Sequence, residues 1–386
     1  MPRETKIPIT PSVLRWAIES SGEDPGEIAV RIGIEAAKLK EWATGTSQPN
    51  LTQTRELARI LKRPLATFLL PTPPQEKALK VEFRHAPGAA RTEPDAKEKV
   101  FLREVFRIQE GVSWILQELG QSGVHLPQMS IEVDPATAAA EARALIGVSA
   151  STQLSWRDEG EALRAWRQCM ETTGIGVFLL PMGRESARGF SLWDDHAPVI
   201  AANTHWNTTA RIYTLFHEFG HLLTRTSSLC LSGGAYRAVR GDQLERWCER
   251  FAASTLLPWE AVKSLLEQSE GWTPGEPIED LSLPSIIARR FKTSLRAAVL
   301  FFVGRGLAEW SLYDSIPKVA DDKRAGGGGS GRSRSEIRLH EYGSRTAEVF
   351  VSALREDILG RPEVANYLQV NDEDIDQIAD SLQGRG

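Results

Sequence analysis

Apolar residues recur at three- and four-residue spacing through most of the chain, which predicts a mainly helical protein. Residues 1–74 divide into short amphipathic helices separated by tight turns. Residues 75–165 continue the helical period, with Trp114, Ile115 and Leu119 on one stripe. The pattern changes over residues 174–203. There Val177-Phe-Leu-Leu180 and Pro198-Val-Ile-Ala-Ala202 are short apolar runs bounded by Gly, Asp and Pro, as strands are. The helical period returns at about 208–225 and 242–257, and two more helices fit within 281–309. Gly326 to Gly331, followed by Arg332 and Arg334, predicts a flexible linker. A small helical tail follows over about 343–383, and there is no internal repeat. The expectation is an α+β chain, mainly helical, in five segments. These are a helical N-terminal domain (1–74), a helical connector (75–165), a central domain with a small sheet that includes the helices of 281–309 (166–320), a Gly/Ser/Arg-rich linker (321–342) and a helical C-terminal region (343–386).

Composition narrows the class. A length of 386 residues suggests more than one domain. An apolar share of 41% and a charged share of 25% exclude disordered and fibrous readings. The longest apolar run, Ala297 to Val303, stops after seven residues, far short of the ~20 that span a bilayer. No membrane partner is expected. The start, Met-Pro-Arg-Glu-Thr-Lys, lacks an apolar signal core. Cys169, Cys230 and Cys248 form a sparse, odd set without a CxxC. A reduced, cytoplasmic protein is expected. The net charge of −5 argues against a bulk nucleic-acid coat but leaves room for a local patch.

The strongest chemical signal is His217-Glu218-Phe219-Gly220-His221, an HExxH motif within an apolar stretch. On a helix, positions i and i+4 lie about 40° apart, so both imidazoles project from one face and can share a zinc ion. Glu218 is turned about 100° from His217. From there its carboxylate reaches a metal-activated water as general base without being a ligand. Placing these groups in an apolar helix without partners would be costly. A third ligand is sought downstream. Glu245, Cys248, Glu249 and Ala252 share one helical face, and small Cys248 and Ala252 allow a close approach to the HExxH helix. Glu245 is the preferred ligand, with Glu249 and Cys248 as rivals.

The run HEFGHLL, then Glu245-x-x-Cys-x-x-Phe-Ala-Ala-x-x-Leu-Leu-Pro258, resembles the ImmA/IrrE family of zinc metallopeptidases. So does the upstream segment Gly189 to Asn203 with Arg211 to His217, and the likeness covers about 170–260. It implies a zincin-like, gluzincin-type peptidase domain with Zn2+ on His217, His221 and Glu245, and Glu218 as base. Members usually carry Ala-Asn where this chain has Cys248-Glu249, so a second acid stands near the metal. The resemblance implies an intracellular endopeptidase that cleaves a repressor carrying a helix-turn-helix after stress or DNA damage. The outcome is derepression of a mobile element, a defence operon such as phage defence, or stress genes. The Val199–Asn203 strand is expected to offer an edge to an extended substrate. Asn203 and His205 are weaker substrate contacts that can equally shape the turn before the HExxH helix.

The N-terminal stretch resembles the XRE/Cro helix-turn-helix. Val13-Leu-x-Trp-Ala opens a first helix, a scaffold helix ends at Gly33, and a recognition helix runs from Ala36 to a Gly45–Pro49 turn. A fourth helix and Arg63-Pro-Leu-Ala-Thr-Phe-Leu-Leu-Pro71 complete a five-helix module. Bases are read by Arg, Asn, Gln or Lys near the start of the recognition helix. Here that end offers Lys38 and Lys40, and residues 1–70 hold ten basic against eight acidic residues. Contact with double- or single-stranded DNA and pairing with a partner protein both remain open, as does a homodimer. The basic helices of 281–309 either pack beside the peptidase core, which is preferred, or form a second helix-turn-helix. The competing functions are a DNA-binding regulator, or an antitoxin-like binder, that uses the peptidase fold as a sensor.

Overall fold

The computed structural model describes residues 6–21, 23–61, 63–74, 96–184, 186–226, 228–230, 243–269, 271–317 and 331–384. The chain divides into two compact units, one of residues 1–80 and 93–104, the other of 81–92 and 105–386. Among the described residues, no helix is long and apolar enough to cross a membrane.

The first unit is built from α1 (Pro11–Ser21), α2 (Pro25–Ile32), α3 (Ala36–Thr44), α4 (Leu51–Ile60) and a short 3-10 helix (Leu65–Leu69). The caps explain the breaks. Asp24 accepts from the backbone of Gly26 and Glu27 ahead of α2. Gly33 and Gly45 take left-handed conformations that end α2 and α3. Asn50 and Gln53 form a capping box at α4. Leu14, Ile28, Leu39, Trp42, Leu57 and Phe68 pack into one core. These boundaries follow the sequence, and the region is helical as expected.

The helix α5 (Ala96–Glu118) follows, and the division between the units falls within it. Its buried stripe is Val105, Ile108, Val112, Ile115 and Leu116, whereas Trp114 is 42% exposed. The expected stripe is therefore turned: Ile115 faces inward, and Trp114, one step of about 100° away, does not. Next come α6 (Pro135–Leu145), α7 (Ala150–Ser155) and α8 (Glu159–Thr172). One core joins Ala138 and Trp166 to Phe216, Phe251, Phe291 and Phe302. The helices of the predicted connector thus share a core with the residues of 166–320.

The sheet has four strands: β1 (Gly176–Leu180), β2 (Gly189–Leu192), β3 (Val199–Asn203) and β4 (Ser228–Cys230). Their spatial order is β1-β3-β2-β4. The pair β1–β3 is parallel; β3–β2 and β2–β4 are antiparallel. The first three strands are buried at every position, which is why two of them read as continuous apolar runs. This order corrects one expectation. The Val199–Asn203 strand is interior, hydrogen-bonded on both sides, so a substrate cannot add to it. The edges among the described strands are β1 and β4.

Against this sheet lies α9 (Thr208–Leu223), and against α9 lies α10 (Gln243–Leu256). Then follow α11 (Trp259–Ser269), α12 (Ser282–Phe291), α13 (Leu295–Gly304) and α14 (Trp310–Asp314). The helix α13 packs on α10 and on α12. The C-terminal helices are α15 (Arg334–Arg355), α16 (Arg361–Leu368) and α17 (Asp372–Gln383). A capping box at Ser333 and Glu336 starts α15 nine residues before the expected tail at 343. The linker expected over 321–342 is therefore helical from Arg334, and its residues 321–330 lie outside the described ones. Nor is the tail separate, because α15 packs on β1. Arg167 of α8 ties the three together. It donates to the carbonyls of His340 and Val177, at 2.7 and 2.5 Å, and pairs with Glu171 at 3.0 Å.

Candidate metal centre

The helix α9 starts at Asn207, whose side chain accepts from the backbone of Ala210. From Ile212 to Leu223 every residue of α9 is buried. Apolar neighbours hold the helix rigidly between β2, β3, α8 and α10. Two glycines set the spacing. A Cβ at Gly189 would lie 2.6 Å from the Ala201 carbonyl oxygen and would also strike Thr214 of α9. A Cβ at Gly220 would lie 3.1 Å from Cys248 Sγ and 3.2 Å from Phe251 Cδ1. The small residues expected on the facing helix do permit a close approach, and Gly220 is their counterpart.

That approach brings Glu245 of α10 onto the two histidines. Its Oε2 lies 3.3 Å from His217 Nε2, and its Oε1 lies 3.2 Å from His221 Nε2. The two Nε2 atoms are 3.3 Å apart. The spacing of the two nitrogens is that of neighbouring donors about 2.0–2.1 Å from a tetrahedral ion, which stand about 3.3 Å apart, and the carboxylate turns one oxygen toward each ring. Two imidazoles and a carboxylate therefore form a site that can hold a metal ion with one position open. His221 Nδ1 lies 3.2 Å from Thr226 Oγ1, which orients the ring and leaves Nε2 facing the cluster. Thr226 was invisible in the sequence, since it follows the helix and belongs to no motif.

Without a metal, the cluster is held by shared protons. Burial pulls the His217 imidazolium down, but hydrogen bonding and charge from Glu245, with Glu218 and Glu249 nearby, outweigh it and raise the group to about 9. Burial pushes the Glu245 carboxyl up, but His217 and His221 hold it well below the usual carboxylate range. Glu218 is fully buried and adjoins His217 in sequence.

The rivals for the third ligand fall outside the cluster of donors among the described residues. Cys248 is buried against Gly220. Glu249 is 4% exposed, with Oε2 lacking a hydrogen-bond partner. Burial pushes its carboxyl up to about 8, assisted by repulsion from Glu245 and opposed by His217 and Arg188. Asn203 is buried and its hydrogen bonds are local. Its Nδ2 donates to the carbonyls of Gly183 and Ala187, and its Oδ1 accepts from the His205 backbone. The His205 ring packs edge-on against Trp206. Both residues thus shape the turn that leads into α9. In the first unit, Lys38 pairs with Glu41 at 2.7 Å, and Lys40 is exposed.

Comparison with known proteins agrees with this geometry. Residues 170–301 match the family model described as Peptidase_M78, IrrE N-terminal-like domain. No curated protein matches the chain. The matched segment holds the sheet, α9 and α10 in full. Residues 170–301 are an IrrE/M78-like peptidase domain, and its buried His217–His221–Glu245 triad is a metal-binding site of the zincin type.

Proposed function

We propose that the chain is a zinc-dependent endopeptidase that cleaves a regulatory protein inside the cell, a repressor with a helix-turn-helix. The observation that carries the peptidase reading is the clustering of His217, His221 and Glu245, donor to donor at 3.2–3.3 Å, with Glu218 next to the first ligand. Two nitrogen donors and one carboxylate suit zinc better than a hard, all-oxygen cation. Zinc, when bound, supplies a Lewis acid that acidifies water and polarises a peptide carbonyl. His217, His221 and Glu245 hold it. Glu218 takes the proton from the attacking water and delivers it to the leaving amine. Asn203 holds the loop of Gly183 and Ala187 in place beside β2.

The choice of a repressor rests on the resemblance and on the helical first unit in the same chain. We assign that unit an XRE-type helix-turn-helix. Partner pairing is favoured over base reading, because Lys38 is engaged by Glu41 of its own helix. The test is Glu218→Gln in the zinc-loaded chain. It should bind zinc as the wild type does and lose cleavage by about 10²–10⁴-fold. New protein N-termini should appear in cells with the wild type and be missing with E218Q, and they should map to a helix-turn-helix protein. Cleavage that survives in E218Q removes Glu218 from the mechanism. Cleavage that maps elsewhere leaves the peptidase and removes the repressor.

A further inference from the structure

The helix that supplies Glu245 has a second face. Gln243, Arg246, Trp247 and Arg250 of α10 fall within about 100° around its axis, on the side away from Glu245. They line an open cavity of about 520 Å3. Its other walls are the entry to α6 from Ile131 to Pro135, Leu300 and Val303 of α13, and Trp310 of α14. A further cavity of about 270 Å3 shares Arg250 and Leu300 with it and adds Arg305. The volume lies within the range of about 300–1,000 Å3 usual for small-molecule sites.

The lining is chemically mixed in a way that restricts what fits. Among the described residues, Arg246 and Arg250 form no ion pair, whereas Arg361 pairs with both Asp372 and Asp376. Two guanidinium groups one helical turn apart, beside apolar walls, can grip a dianionic head. Carboxylates are present too. Glu132 stands exposed at the rim, and the buried Glu249 also lines the cavity with an unpartnered Oε2. A bare hydrophobic anion would be repelled by Glu132 at the rim. A ligand that also carries hydroxyl or amino donors can meet Glu132. Trp310 is half-buried and leaves ring surface for a flat group.

We propose that this cavity binds a small phosphorylated ligand of the mononucleotide class. Its phosphate rests on Arg246 and Arg250, its hydroxyl or amino donors turn toward Glu132, and its ring lies beside Trp310. The site is separate from the metal triad and does not depend on the peptidase reading.

The test is isothermal titration of the full chain with AMP and GMP, with inorganic phosphate and adenosine as the two halves of the probe. At least one nucleotide should bind at a single site with a Kd below about 1 mM. Arg246→Gln with Arg250→Gln should weaken it by about 10-fold or more while the ligand-free melting curve stays unchanged. If that double variant does not fold, Trp310→Leu serves instead, and should weaken the nucleotide but not phosphate. The proposal is overturned if neither nucleotide saturates, if the variants bind as the wild type does, or if either half of the probe binds as tightly as the whole.

Discussion

Replacing Glu249 by glutamine keeps the shape of the side chain and removes its ability to ionise. The folded chain without metal holds this carboxyl at about 8, against an ordinary value of 4.5. Burial is the main cause. Below pH 4.5 the group is protonated in both folded and unfolded chains, so it has no effect on stability. Between 4.5 and about 8 the folded chain retains a proton that the unfolded chain releases. Stability therefore falls as pH rises through that window. At about 1.36 kcal/mol per pH unit, the complete penalty is about 5 kcal/mol above pH 8. An unpartnered glutamine amide gives back about 1–3 kcal/mol, so a gain of about 2–4 kcal/mol is expected for E249Q.

The assay is unfolding of chelator-treated wild type and E249Q, at pH 4.5 and above pH 8. The variant should be the more stable at the higher pH and the weaker, by the amide's cost of about 1–3 kcal/mol, at the lower. Saturating zinc should shrink the gain, because a nearby dication favours the ionised carboxylate. A gain independent of pH, or a variant weaker than wild type above pH 8, would refute the account of Glu249 as a destabilising buried acid.

Other outcomes follow from the same geometry. Because His217 is held protonated up to about 9, metal must displace a proton there, and zinc affinity should fall about tenfold per pH unit below that value; a chelator competition series that is flat from pH 6.5 to 9 would contradict this. Gly220→Ala should push α10 away through Cys248 and Phe251, and lower zinc affinity by about 10-fold with the fold retained, as read by zinc per chain. Gly343 has φ 86° inside α15, and a Cβ there would collide with Glu171; Gly343→Ala should cost about 3 kcal/mol or more in unfolding experiments, with no effect expected from Glu348→Ala at an exposed position of the same helix beyond about 1 kcal/mol.

The metal ligands were legible because their constraint is local. Helical spacing alone aligns His217 with His221, and the small face of α10 singles out Glu245 within a few residues. The choice between Glu245 and Glu249 was not settled by spacing, since both lie on that face. Packing against Gly220 settles it by fixing the rotation of α10. The sheet was half legible. Val177–Leu180 and Val199–Ala202 announce themselves as apolar runs, while Gly189–Leu192 is too short and β4 shorter still. Strand order was not legible at all, because pairing joins residues far apart in sequence and no local pattern records it. The linker illustrates the reverse error. Arg334 and Ser335 read as a continuation of the Gly/Ser tract, yet Ser333 and Glu336 cap a helix there. The arginine face of α10 was passed over because its charges look like any solvated helix surface.

The bond between Arg167, the Val177 carbonyl and α15 bears on how the protein can be taken apart. The family match ends at residue 301, but the helix that covers the β1 edge comes from residues 334–355. A fragment cut to the boundaries of the match would leave that strand bare, with unpaired backbone groups along an apolar edge. Such edges join one another. The shortest soluble piece of this peptidase is therefore expected to reach well past its recognisable domain, and the helix of residues 334–355 serves as a built-in guard against self-association.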